Sequence, residues 1–318
     1  AAAPAIGPTF GGIMTQYFTW RYIFICVLPV IVLASFIGYF CMSEQIINKH
    51  EKFDFLSFIA VALAFVSLIM GFSNLNQIVD DLVFVLGCFI IGIISLYYFT
   101  KRQLHIKNSL IRIEIFNHKG FTFHTLAIMF LQMTTLGYGL LLPTFVQIVL
   151  KQPATDAGVV LLPGAIVGAV FAPIGGLILD RLGAKKPIVL GLCCSFIATF
   201  CFLFFFKNLT YQSCILFYFI YSLGIGLIVG NTMTSAMSHL PKNLQADGNA
   251  TLQTLMQLSG GIGTSITATI LAFVQQGTNL YDGTNRGALF ALIFLMFNIN
   301  IVILSQYFAF KGGKKNEF

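Results

Sequence analysis

"GGLILDRLGAKK" (Gly175–Lys186) closes one apolar stretch of the chain and opens the next. Before it, Ala157–Leu179 contains no Asp, Glu, Lys or Arg, and after it Pro187–Phe206 contains none either. Each stretch is near or above the roughly 20 residues with which a helix crosses a hydrocarbon core. Between them stand an Asp-Arg pair, a turn glycine at Gly183, two lysines, and Pro187, which suits the first turn of a helix. The segment reads as two membrane-crossing helices joined by a short basic turn.

Working outward, the same alternation fills the chain. Charge-free windows cover Tyr22–Ser43, Phe55–Val79, Leu82–Thr100, Gly120–Leu150, Asn208–His239, Gly248–Leu280 and Gly287–Phe310. With the apolar opening segment they give ten candidate spans in 318 residues. Hydrophobic residues make up 57% and charged residues only 9% of the chain. Soluble domains carry about 25% charged residues. Membrane barrel strands would alternate apolar and polar residues, and these runs do not. The fold class is therefore all-α, a polytopic helical membrane protein embedded in the lipid bilayer.

Sidedness follows from the connections taken alternately. One set, with the segment after Phe310, holds fourteen Lys and Arg; the opposite set holds four, at Arg21, Lys151, Lys207 and Arg286. The first set, and the C-terminus, are expected in the cytoplasm. The net charge of +7 thus belongs to membrane-surface loops, and no nucleic-acid partner is expected. The seven cysteines lie in or beside spans, without the spacing of a disulfide framework or a zinc site. No metal site and no cofactor are expected. The absence of an initiating Met and the start inside a helix suggest a fragment.

Asp180 sits where a helix ends, and there the macrodipole disfavours an anion. Folding back at Gly183 would bring the carboxylate towards the next helix's N-terminus or a cation on a neighbour, where it would be stabilised. Such a contact would latch one conformational state. A solvated positive-inside loop would explain Arg181, Lys185 and Lys186 equally well, but not Asp180 bracketed by Gly176 and Gly183.

These residues resemble motif A of the major facilitator superfamily, Gly-x-Leu-x-Asp-Arg-x-Gly-Arg-Lys. The match is carried by Gly176, Asp180, Arg181, Gly183 and Lys185, with Ile178 for Leu and Ala184 where the motif has Arg. The opening "AAAPAIGPTFGG" resembles motif C of the superfamily's drug antiporters, Gly-Pro-x-x-Gly-Gly, through Gly7, Pro8, Gly11 and Gly12. The resemblance implies the 14-helix drug:proton antiporter branch, with this chain running from about helix 5 to the C-terminus as a partial major facilitator fold. Expected units are residues 1–42 as the end of the N-terminal bundle (helices 5 and 6) and 43–100 as an extra hairpin (helices 7 and 8). A basic connection at 101–120, a C-terminal six-helix bundle at 121–310 and a tail at 311–318 follow.

Gly7 and Gly11 form a small-xxx-small face for close helix approach, and Gly164 and Gly168 are its expected counterpart across the domain interface. Packing of these small residues within one half is the other reading. Polar residues inside spans need partners or water. Gln132, Thr135 and Tyr138 share one face, and Asn231 follows "YSLGIGLIVG". By family analogy helices 9 and 12 line the cavity, which makes Gln132, Tyr138 and Asn231 candidate lining residues. For the Asn249, Gln253, Gln257 stripe and for Asn298 and Asn300, hydrogen bonding between helices is expected.

All eleven acids lie in connections or at span ends, so no mid-membrane carboxylate is available as a proton relay. His124 is the single titratable group with a partly buried helical position, and a structural role is its expected reading; the coupling acid belongs to the family's first helix.

The function implied is proton-coupled efflux of small hydrophobic compounds by alternating access, in a plasma-membrane protein that is monomeric at full length. Export of an endogenous lipid, fatty acid or metabolite is the alternative. An integral membrane enzyme is a remote one, because the few histidines are scattered and no catalytic cluster is visible.

Cysteines placed singly at positions 107 and 151 in a thiol-free background test the sidedness. An impermeant reagent added to intact cells should label position 151 and spare position 107; outside labelling of 107 would reverse the topology.

Overall fold

The computed structural model describes residues 7, 10, 11, 14, 15, 17–19, 21–41, 54–77, 81–106 and 111–313. The expected first span, with Pro8 and Gly12, falls largely outside these residues, as does the end of the tail. Among the described residues there is no strand, and nine helical segments are long and apolar enough to cross a membrane. The helices are α1 (Arg21–Cys41), α2 (Phe55–Ser73), α3 (Leu82–His105), α4 (Lys119–Ile148), α5 (Ala154–Val159), α6 (Leu162–Leu182), α7 (Lys185–Phe204), α8 (Tyr211–Ser238), α9 (Gln245–Gln275) and α10 (Leu280–Gly313).

One expected span is divided. The window from Ala157 to Leu179 becomes α5 and α6, broken at Val160–Leu161. The cause is Pro163, in the first turn of α6. A proline deeper in a continuous helix would remove an N–H bond and press on the carbonyl four residues earlier, so the chain restarts with proline where the N–H is not needed.

α8 is the strut of the C-terminal bundle, touching α6, α7 and α4. A capping box starts it: Ser213 N–H donates to Thr210 Oγ1, and Thr210 N–H donates to Ser213 Oγ. Glycines then let its backbone meet two neighbours at once. A Cβ on Gly224 would lie 2.5 Å from Gly191 O of α7, and one on Gly226 would run into Gly168 O of α6. A Cβ on Gly168 would in turn lie 3.0 Å from Ser222 O, and one on Gly164 would lie 2.6 Å from the Tyr218 ring. Small residues permit this approach in lipid, where apolar side chains gain little by leaving the hydrocarbon.

The rest of the bundle closes around α4. Gly137 admits Leu295 of α10, and Gly263 of α9 lies against the Met133 backbone. Towards one end of the bundle, Tyr138, Leu141, Phe145, Phe202, Tyr221, Leu292 and Leu295 are buried together. At the other end Ile115, Phe121, Ile128, Ala236 and Leu252 form a second core.

α2 and α3 form an antiparallel pair. α2 buries Ser57, Ala60, Ala64, Ser67 and Gly71, spaced alternately by three and four residues, and α3 meets them with Val85, Cys88, Gly92, Ser95 and Phe99. This is coiled-coil spacing with small residues at the seam. The pair docks on α9: Ser73 and Ser265 hydroxyls are 2.8 Å apart, Thr269 donates to Phe72 O at 2.8 Å, and Gly261 receives Ile69. α1 is different. Nearly all its residues are exposed, so its apolar surface has no extensive partner among the described residues.

Gly226→Ala places a methyl group against the backbone of α6, whereas Gly230 has nothing within 4 Å of a Cβ. Overpacking costs typically 1–3 kcal/mol. In detergent, Gly226→Ala should therefore lower the thermal midpoint by several degrees and Gly230→Ala should not; equal midpoints would remove the strut role of α8.

Candidate functional site

At the end of α6 the chain stops as its sequence demands. Gly183 has φ +78°, donates its N–H to Leu179 O, and leaves the helix before Lys185 starts α7. That conformation favours glycine over residues with a side chain. Asp180 and Arg181 are exposed at this end, and no ion pair to Asp180 is formed among the described residues. Gly176 looks into open space. The geometry gives the turn and leaves the carboxylate available.

The outward face of α6 is apolar, with Ile166, Val170, Ile174 and Leu177 exposed. Its glycine face is turned inward onto α8. The expected pairing of Gly164 and Gly168 with Gly7 and Gly11 is therefore corrected: both α6 glycines are occupied by Tyr218 and Ser222, and nothing lies within 4 Å of a Cβ at Gly7 or Gly11. The physical reason is that α6 and α8 have matching small residues at one register. Close packing inside one half takes these positions.

The polar candidates fall in different places. Tyr138 is fully buried, its hydroxyl donating to Thr199 Oγ1 at 2.9 Å and its ring 4.7 Å from that of Tyr221. Asn231 is 3% exposed; its amide donates to Leu227 O at 2.7 Å and abuts Gly175. Neither lines an open cavity in this conformation. Gln132 is half-buried, its Cγ 3.4 Å from the Cβ position of Gly260 on α9. Of the three, it lies at the α4–α9 seam.

Hydrogen bonds between helices do not account for the remaining amides. Asn298 is fully buried with neither side-chain polar atom hydrogen-bonded, while Asn300 is exposed and donates to Met296 O within its own helix. Asn249, Gln253 and Gln257 are all exposed along one face of α9. The correction has a simple cause. The hairpin lies along α9 at Thr251, Thr254, Leu255, Gly261, Ser265 and Thr269. An i, i+4 row turns about 40° per step on a 3.6-residue helix, so Asn249, Gln253 and Gln257 wind away from the face the hairpin covers. Exposed amides within a spanning helix are stable against water or another polar surface, not against lipid. The i, i+4 recurrence visible in the sequence was the signal for this face.

Two further groups stand out: His124, expected in a structural role, and a clamp that was not legible in the sequence. His124 is fully buried, its Nε2 shares a 3.0 Å hydrogen bond with Ser235 Oγ, and its ring lies 5.4 Å from that of His239. The second is a clamp at the base of the hairpin. Arg102 donates twice to Asp54, both at 3.0 Å. Gln103 donates to Ser57 and accepts the Ile111 N–H, and Arg112 pairs with Asp247 at 3.3 Å. The Arg102 guanidinium, then the Ser57 hydroxyl, hold the Asp54 carboxyl well below the usual carboxylate range. The clamp is accordingly charged above the ordinary carboxylate pKa and is lost only in strong acid. Among the described residues no group of three His, Cys, Asp or Glu could hold a metal.

The family model of the Major Facilitator Superfamily matches residues 1–264. The chain belongs to the Major Facilitator Superfamily. It is 32% identical over 276 residues to the lincomycin resistance protein LmrB of Bacillus subtilis, covering 85% of this chain and 57% of that protein. LmrB of Listeria monocytogenes is 30% identical over 285 residues, 90% of this chain and 60% of the relative. The quinolone resistance protein NorB of Staphylococcus aureus is 26% identical over 302 residues, 93% and 63% respectively. The chain thus spans about three fifths of the length of these curated relatives. The multi-pass helical architecture is that of a membrane protein.

Proposed function

We propose that the transporter carrying this chain exports small hydrophobic drugs in exchange for protons, and that this chain supplies the C-terminal wall of its pathway. The observation that carries the reading is the exposed amide face of α9. Asn249, Gln253 and Gln257 present polar groups inside a spanning segment where the bundle itself leaves them uncovered. Gln132, at the adjoining seam, extends this wall. Relatives named for resistance to lincomycin and quinolones support a drug-sized substrate.

In this reading the six-helix bundle moves as one body against an N-terminal bundle, with the site between them. α1, itself expected in that N-terminal bundle, and the apolar face of α6 are the surfaces the rest of that bundle would cover. Asp180 and Arg181 act as a latch when a partner closes onto the cytoplasmic end of α6, and Gly183 and Lys185 shape the turn that presents them. Gly7, Pro8, Gly11 and Gly12 form the motif C segment, whose described glycines have room for a close neighbour. Protons are coupled through an acid outside this chain. The protein resides in the plasma membrane as a monomer with a cytoplasmic C-terminus.

Proteoliposomes holding the full-length transporter test this directly. Imposing a proton gradient should drive transport of lincomycin or a quinolone, and collapsing it should stop transport. Asp180→Asn, which keeps size and removes charge, should reduce turnover severalfold at equal abundance. Gradient-independent movement would end the proton-coupled reading, and undiminished transport by Asp180→Asn would return that residue to a solvated loop.

A further inference from the structure

We infer that the cleft between α7 and α10 is a binding site for an anionic phospholipid. The cleft has a volume of about 650 Å³, and Val189, Leu192, Phe196, Ile197, Ile303 and Phe310 are among its walls. That size falls within the roughly 300–1,000 Å³ of sites that hold drug-sized ligands. Its setting is the lipid-facing side of the bundle. Val189, Leu190, Ile197, Phe200 and Phe204 of α7 are exposed, as are Phe290, Ile293, Phe297, Leu304 and Tyr307 of α10. Hydrocarbon, not water, is the solvent such surfaces fit.

The two ends of the cleft differ. Lys185, the first residue of α7, and Lys311, in the last turn of α10, both border it. They mark its cytoplasmic rim, and both are exposed, as is the neighbouring Lys186. Among the described residues no carboxylate lines the cleft. An apolar trough ending in two ammonium groups is complementary to acyl chains that end in a phosphate, and basic pockets between spanning helices on the cytoplasmic side suit anionic head groups. A zwitterionic lipid would fill the trough but would bring its own cation to the lysines. Gln306 borders the cleft as well, but is buried, its Nε2 donating to Thr232 Oγ1 at 3.1 Å.

The position gives the lipid a mechanical consequence. Lys185 belongs to the Asp180–Lys185 turn, so a phosphate held there would tie that turn to the end of α10. The occupant is distinct from the drug, whose proposed wall lies on α9.

Native mass spectrometry of the full-length transporter in delipidating detergent provides the test. Phosphatidylglycerol and phosphatidylcholine with identical chains would be titrated separately, with inorganic phosphate as a third arm. Wild type should retain phosphatidylglycerol preferentially. Lys185→Gln with Lys311→Gln should weaken that preference by roughly fivefold for each lysine removed, while Lys207→Gln at the opposite end of α7 should leave it unchanged. Lys311→Gln alone serves if the double variant does not fold, and should show about half the logarithmic loss. In wild type, phosphatidylglycerol should also slow alkylation of Cys193, which borders the cleft and is exposed, more than phosphatidylcholine does. No headgroup preference in wild type, a preference indifferent to both lysines, equal protection of Cys193, or displacement of the lipid by millimolar phosphate would each overturn the site.

Discussion

Backbone contact between α8 and two neighbours is the constraint on which the C-terminal bundle depends. In lipid, apolar side chains gain little by moving from hydrocarbon to protein, so helices hold together where backbones come close enough for dense packing. Gly224 faces Gly191 of α7 and Gly226 faces Gly168 of α6 on two sides of one helix. Fixing α6 and α7 to α8 fixes the turn between them. The Asp180–Lys185 segment therefore reports the position of the whole bundle, not of a loose loop. α4 completes the unit, joining α8 through the Thr135–Tyr221 pair and α7 through the Tyr138–Thr199 pair.

What remains outside this unit follows from the same packing. α6 uses its small residues internally and presents Ile166, Val170 and Leu177 outward. α9 turns Gly260 and Gly263 towards α4 and Gly261 towards the hairpin, leaving its amide stripe uncovered. The hairpin is held at one end by hydroxyls on α9 and at the other by the Asp54–Arg102 clamp, with Arg112 carrying the connection to Asp247. Exposed ion pairs are individually weak, at about 0–1 kcal/mol. Their combination with the buried Gln103 bridge sets the register of the hairpin more than its strength.

The spans were legible because charge is intolerable in hydrocarbon, and windows such as Gly120–Leu150 announce themselves. The turn at Gly183 was legible for the same reason that glycine tolerates φ +78°. Pairings between helices were not. Gly164 and Gly168 signal close approach without naming the partner, and the sequence offers Gly7 and Gly11 as readily as Ser222 and Gly226. Gln132 and Tyr138 are expected on one face, yet six residues on a 3.6-residue helix set them about 120° apart, and Tyr138 is buried while Gln132 lies at a seam. The α9 amides were visible as a periodic stripe, but whether a neighbour covers them depends on where the hairpin docks, a long-range choice that local pattern does not encode.

The central claim is that this bundle has a wet face on α9 and a lipid face on α7. Single cysteines at 249, 253 and 257 on α9, and at 190, 197 and 200 on α7, would be placed in a thiol-free full-length transporter in native membranes. Their reaction rates with a charged, membrane-impermeant thiosulfonate under access from both sides test the claim most directly. The account predicts reaction at the α9 positions, varying with the substrate or proton gradient, and protection at the α7 positions. Protection along α9 with reaction along α7 would contradict it.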